Sequence, residues 1–381
     1  MEYTGERIGF EAIAVKERRG GLDLPFLALT LTLLTIGVVM VLSASYARAY
    51  YSAATDHNAA YYFMRQLGFA LAGVAAMYLL SLLPMQFYRR MSLMVLLGAI
   101  GLLTLVPFIG VSQGDAKRWI DLGFTTFQPS EIAKIGIILY FAALICKFRG
   151  RMKTVKYGIL PFAGVLLVVV ALLVMEPHFS AAIIIIAIGA VMLFLGGVRL
   201  YWFVGALAIA AVGLGVIITF FPYASGRITT WLDPFANTSG DGYQIIQSLY
   251  AIGSGGLFGL GQGRQKYLYL PEEHNDFIFP VVCEELGFAG AILILLLFAL
   301  LIIRGYWLAM HMRDRYSFLV TAGITTLLAI QVFLNVAVVT NLVPCTGISL
   351  PFFSYGGTAL MIQLAEMGIV LSAARDIPVK I

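Results

Sequence analysis

LPEEHNDFIFPVVCEELGFAGAILILLLFALLII, residues 270–303, runs from a polar head carrying Glu272, Glu273, His274 and Asp276 into a tail with no charge after Glu285. That tail, Leu286–Ile303, is long enough to cross hydrocarbon about 30 Å thick at roughly 1.5 Å per residue. It lacks the two-residue alternation of a membrane strand, so the segment reads as a membrane-spanning helix. An acid, Asp276, stands at its mouth, where charge costs free energy unless it is solvated, paired or used.

The rest of the chain agrees. Of 381 residues 60% are hydrophobic and 12% charged, and the mean hydropathy is +0.91, values that exclude a soluble globular domain. Ten spans are predicted, at 24–46, 68–84, 91–110, 130–146, 159–175, 178–196, 202–221, 277–303, 317–341 and 356–373. The expected fold is an all-α polytopic membrane protein of ten transmembrane helices. It comprises a cytoplasmic N-terminal tail (1–23), a membrane domain (24–374) and a cytoplasmic C-terminal tail (375–381), with a large extracytoplasmic loop (222–276) between spans seven and eight. Span one, preceded by Lys16, Arg18 and Arg19, reads as a retained signal anchor. With both termini cytoplasmic, 17 of the 25 Lys and Arg fall on the inner side, and this bias sets the orientation.

The net charge of +5 belongs to those inner loops and suits anionic lipid headgroups, with no nucleic-acid partner. Cys146, Cys283 and Cys345 form neither a metal-type spacing nor a disulfide framework.

Several polar motifs cluster on the expected outer side. Lys117, Arg118 and Trp119 precede the fourth span, and Glu131 and Lys134, three residues apart, share one of its faces. They read either as a self-neutralising pair with interface anchors or as an anion-binding face. The glycine-rich run Gly253–Gly263 fits neither the Walker nor the Rossmann spacing and reads as an interfacial or re-entrant turn, with Arg264 and Lys266 close behind. Asp276 is a candidate general base or an N-terminal helix cap. Glu284 and Glu285 must face protein or water, His274 reads as a loop residue, and Glu176-Pro177-His178 forms a tight turn. Pro351–Gly357 breaks helicity before the last span, as a re-entrant segment beside a cavity does.

Taken in order, Lys117-Arg118-Trp119-Ile120, Gln128-Pro129-Ser130-Glu131-x-x-Lys134, Gly242-Tyr243-Gln244, Asn275-Asp276-Phe277, Glu284-Glu285-Leu286-Gly287 and Gly347–Pro351 with Ser354-Tyr355-Gly356-Gly357 resemble the SEDS family of shape, elongation, division and sporulation proteins, from Leu24 to Ala374. Arg264–Glu272 is nearer the FtsW-like division and sporulation branch than the RodA-like elongation branch. The family's acid at the third position of the Glu-Pro turn is His178 here, and Gly256–Arg264 is shorter than usual.

The resemblance implies a peptidoglycan glycosyltransferase that polymerises lipid II on the outer face of the bacterial cytoplasmic membrane. Asp276 would be the catalytic base. Lys117, Arg118, Trp119, Gln128, Glu131, Lys134, Arg264, Lys266 and Ser354 would bind substrate. No cofactor is specified, although a divalent cation is compatible with the chemistry. Expected partners are lipid II, the growing glycan strand, a class B penicillin-binding transpeptidase and proteins of a division, elongation or sporulation complex. The competing readings are a lipid II flippase, with charges lining a path across the bilayer, and a non-catalytic scaffold.

Overall fold

The computed structural model describes residues 20–113, 116–123, 125–208, 215, 222–238, 242–261, 270–271 and 273–377. Among the described residues, nine helices are long and apolar enough to cross a membrane. They include α1 (Leu24–Tyr51), α2 (Tyr61–Leu82), α3 (Met85–Ile109), α4 (Pro129–Lys147), α5 (Leu160–Met175, extended backward by the turn Val155–Gly158) and α6 (Phe179–Gly196). Two shorter helices, α7 (Pro222–Leu232) and α8 (Tyr243–Ser254), precede α9 (Ile278–Met310), α10 (Arg315–Val339) and α11 (Gly357–Ala374). The seventh expected span, 202–221, lies largely outside the described residues, with helical backbone at 200–208.

α1 starts where Asp23 Oδ1 accepts the Phe26 amide at 2.9 Å, and the same carboxylate pairs with Arg304 of α9 at 2.5 Å. That bond ties the start of α1 to the far end of α9. Gly20 donates its amide to Arg375 O at 2.8 Å, so both described ends of the chain lie at this termini end of the bundle. Asp276, preceding α9, lies at the opposite end. α4 and α10 are buried on most sides, and their sequences are apolar nearly all round apart from a few polar residues, among them Glu131 and Lys134 on α4 and Gln331 and Asn335 on α10.

Two features depart from a plain helical bundle. The connection from α3 to α4 holds a small antiparallel sheet, β1 (Val111–Gln113), β2 (Ala116–Asp121) and β3 (Thr126–Phe127), so the all-α expectation needs this correction. Two of the strands, of three and two residues, are too short to show as periodic runs. Val111 pairs with Trp119 but Ser112 with Lys117, which leaves a bulge at Arg118. In addition, α9 is broken at Gly287, whose φ of 69° and ψ of −172° are not helical.

The expected re-entrant segment is present. Phe352, with φ 64°, packs its carbonyl against Gly37 near the middle of α1, and its ring against Phe298 at 6.3 Å. A β-carbon on Gly37 would lie 2.2 Å from Phe352 O, so only glycine admits the segment at this depth.

Candidate active site

At the Asp276 end, a cavity of about 780 Å³ opens between the sheet, the re-entrant segment, the first turns of α4 and α6 and the first half of α11. The segment 273–276 and the stretch 347–351 are held together by one buried amide. Asn335 Nδ2, on α10, donates to Asp276 O at 2.8 Å and to Ile348 O at 2.7 Å. Gln331 lies one turn away on the same face of α10 and lines the cavity.

Asp276 lines the cavity and stands one residue before the N-cap position of α9. The cap position is Phe277, which makes no side-chain bond to the first-turn amides.

The bulge at Arg118 interrupts strand alternation, so Arg118 and Trp119 both line the cavity while Lys117 is exposed and does not. Lys117 is thus separated from the other expected binding residues. Arg118 Nη2 donates to Pro177 O at 2.6 Å, which carries the guanidinium onto the turn between α5 and α6.

Glu131 and Lys134 form an ion pair at 2.6 Å and both line the cavity. The self-neutralising reading of this pair is thus met, since a buried cation needs its carboxylate, and the pair stands on the cavity wall. Glu366 of α11, also buried, contributes a further carboxylate to the lining.

Gln128 Nε2 lies 3.2 Å from His178 Nε2. An amide NH₂ can only donate, so His178 Nε2 is the acceptor. Burial, reinforced by the cations Arg118 and Lys134, pushes the His178 imidazole down to about 3, which keeps it neutral. Burial raises the neighbouring Glu176 carboxyl to about 7, against the opposing pull of Arg118.

Ser354 lines the cavity, and its Oγ accepts the Leu350 amide at 2.7 Å, closing the turn of the re-entrant segment. Arg264 and Lys266 lie outside the described residues. His274 is a loop residue, as read, but a buried one: its ring lies 4.6 Å from Tyr62, which packs edge-on against Tyr355 at 5.1 Å. Sequence reasoning missed Tyr62, Arg65, His274, Gln331 and Glu366 as lining residues. The available signal was a polar residue in an apolar span, as with Gln331 and Glu366.

Glu285 accepts Ser43 Oγ of α1 at 2.6 and 2.7 Å on its two oxygens, a structural bond between helices.

A bundle of long apolar helices with a charged cavity cut into one end defines a polytopic integral membrane protein. Residues 24–377 match the FtsW, RodA and SpoVE family model, described as cell cycle protein, and the chain belongs to that family. It is 39% identical over 357 residues to the stage V sporulation protein E of Bacillus subtilis, covering 93% of this chain and 97% of that one. It is 40% identical over 359 residues to a protein of Trichlorobacter lovleyi named "Probable peptidoglycan glycosyltransferase FtsW", covering 93% of each. Among solved structures, the Thermus thermophilus rod shape determining protein RodA aligns with a TM-score of 0.69 at 28% identity, over 94% of this chain and 98% of that one. A chain from a work on structural coordination of polymerization and crosslinking by a peptidoglycan synthase complex aligns with a TM-score of 0.79 at 28% identity, with the same coverage.

Proposed function

We propose that this protein is a peptidoglycan glycosyltransferase of the bacterial cytoplasmic membrane that polymerises lipid II on the outer face, both termini being cytoplasmic. The observation that carries this reading is the sharing of one cavity by Asp276, Arg118 and Lys134. Outside the cell no nucleotide sugar is supplied, so the donor must arrive already activated as a polyprenyl pyrophosphate. The acceptor sugar hydroxyl attacks the donor's anomeric carbon. As the new C–O bond forms, the bond to pyrophosphate breaks and Asp276 takes the hydroxyl proton. Arg118 offsets charge building on the leaving group, and Lys134 does so to the extent that Glu131 leaves its charge unspent.

The cavity lining comes from the Asp276-end portions of α4, α6 and α10 and runs along α11 from Gly357 to Glu366, stopping midway down that helix. This arrangement favours a site facing one side over a path that crosses the bilayer.

The partner would be a single-span class B penicillin-binding transpeptidase, a reading supported by the likeness to a chain of a peptidoglycan synthase complex. The test is polymerisation of lipid II by the purified protein in proteoliposomes, with and without that transpeptidase. Glycan chains in either condition support the enzyme. Transbilayer movement of lipid II without any chain formation would replace it with a transporter.

A further inference from the structure

The break in α9 is closed by another part of the chain. In an unbroken helix the Phe288 and Ala289 amides would donate to the Glu284 and Glu285 carbonyls. Here Phe288 N donates to Gly256 O at 2.9 Å and Ala289 N to Leu257 O at 3.0 Å. The stranded carbonyls are met from the same segment, Glu284 O by Leu260 N at 2.9 Å and Glu285 O by Gly261 N at 3.1 Å. Four bonds to residues 256–261 thus replace the two helical bonds lost at Gly287. The break lies about 14 Å along the helix from Ile278, at a depth where unmet backbone groups cost several kcal/mol.

The fit depends on backbone touching backbone. A β-carbon on Gly255 would lie 1.9 Å from Cys283 O, on Gly259 2.1 Å from Glu285 O, and on Gly287 2.2 Å from Gly259 N. Gly259 and Gly287 also have φ of 78° and 69°, which side-chain-bearing residues avoid. The segment follows α8, which is anchored to α10 through Ser248 Oγ and Val339 O at 2.7 Å.

From the break at Gly287 back to Asp276 the chain runs through the first turns of α9 and Phe277. We infer that the 255–261 segment is a positioning clip: Gly255, Gly259 and Gly287 set the angle at which the outer turns of α9 meet the bundle, and so place Asp276 in the cavity. The inference rests on Asp276 being the base. Ser43, bonded to Glu285 beside the break, fixes the same turns to α1.

The test compares Gly259→Ala, Gly256→Ala and Asp276→Asn in the purified full chain with lipid II, scoring kcat and KM per monodisperse molecule. Gly256 has a φ of 54° but open space at its β-carbon, so its alanine variant strains the clip without a clash and keeps the test alive where Gly259→Ala does not fold. A positioning role lowers kcat at least about tenfold in Gly259→Ala and a few-fold in Gly256→Ala, with KM within about twofold and a shifted acid limb of the rate–pH profile. Parent kcat per folded molecule in the folded variants overturns the clip. An active Asp276→Asn would instead overturn the catalytic assignment, which separates the two failures.

Discussion

Gly347 faces the carboxylate of Asp276 so closely that a β-carbon built on it would lie 2.8 Å from Oδ2. The backbone of both residues is tied to one side chain: Asn335 holds Asp276 O and, next to Gly347, Ile348 O. Glycine here clears room for the acid, since its own φ lies outside the left-handed region.

Gly347→Ala is therefore a test of position with little cost to the fold. The clash falls on a rotatable side chain, so stability should change little while the carboxylate is displaced. A misplacement on the order of 1 Å can cost about 10² in rate, and polymerisation should fall by about 10–10². Thermal unfolding measured beside turnover checks this; unchanged turnover would show that the carboxylate's place does not matter.

Asp276→Asn should all but abolish polymerisation and leave the protein folded. The amide keeps the size of the side chain but cannot take a proton, and a general base is worth about 10²–10⁴ in rate. Phe277 occupies the N-cap position of α9, and the amide oxygen of Asn still accepts hydrogen bonds from the helix start, so the change spares the fold. Glycan synthesis near the parent rate in the purified variant would remove Asp276 from the mechanism.

Arg118 and Lys117 should separate although they are adjacent. Arg118 lines the cavity from the bulge and Lys117 is exposed outside it. Arg118→Gln removes a charge-assisted contact worth on the order of 1.5–3 kcal/mol, a loss of about 10–10² in kcat/KM for lipid II, whereas Lys117→Gln should stay within about twofold. Equal losses in a lipid II titration would place both cations on the substrate.

Much of this was legible because hydrocarbon imposes long charge-free runs. The nine helices begin and end within a few residues of their expected bounds except where polar or aromatic residues extend them, as with Tyr61–Gln66 at the start of α2 and Arg304–Met310 at the end of α9. The small sheet was not legible, because β1 and β3 contain three and two residues. Nor was the break at Gly287. A glycine at the head of an apolar run reads as continuous helix, and only its meeting with Leu257 and Gly259 requires otherwise. Asp276, Arg118, Glu131 and Lys134 were found through motif and charge placement. His274 and Tyr62 needed the fold, since 212 positions of sequence separate two rings that pack at 4.6 Å.

The turn between α5 and α6 should give stability opposite dependences on pH through its two titratable groups. His178 is held neutral, from 6.5 down to about 3, by burial and by Arg118 and Lys134, with Gln128 bonded to its ring. Its contribution is fully present above 6.5 and is lost as pH falls through that value toward 3. Glu176 is raised by burial from 4.5 to about 7 despite Arg118, so its contribution is full below 4.5 and is lost as pH rises through 7. His178→Gln should therefore flatten the acid side of the profile, and Glu176→Gln the neutral side. Thermal unfolding in detergent from about pH 4 to about pH 8, with parent and both variants, checks each limb. A His178→Gln profile that falls as steeply in acid as the parent's would assign the acid loss to other groups. A Glu176→Gln profile that still declines toward pH 8 would show that this carboxyl is not held protonated in the fold.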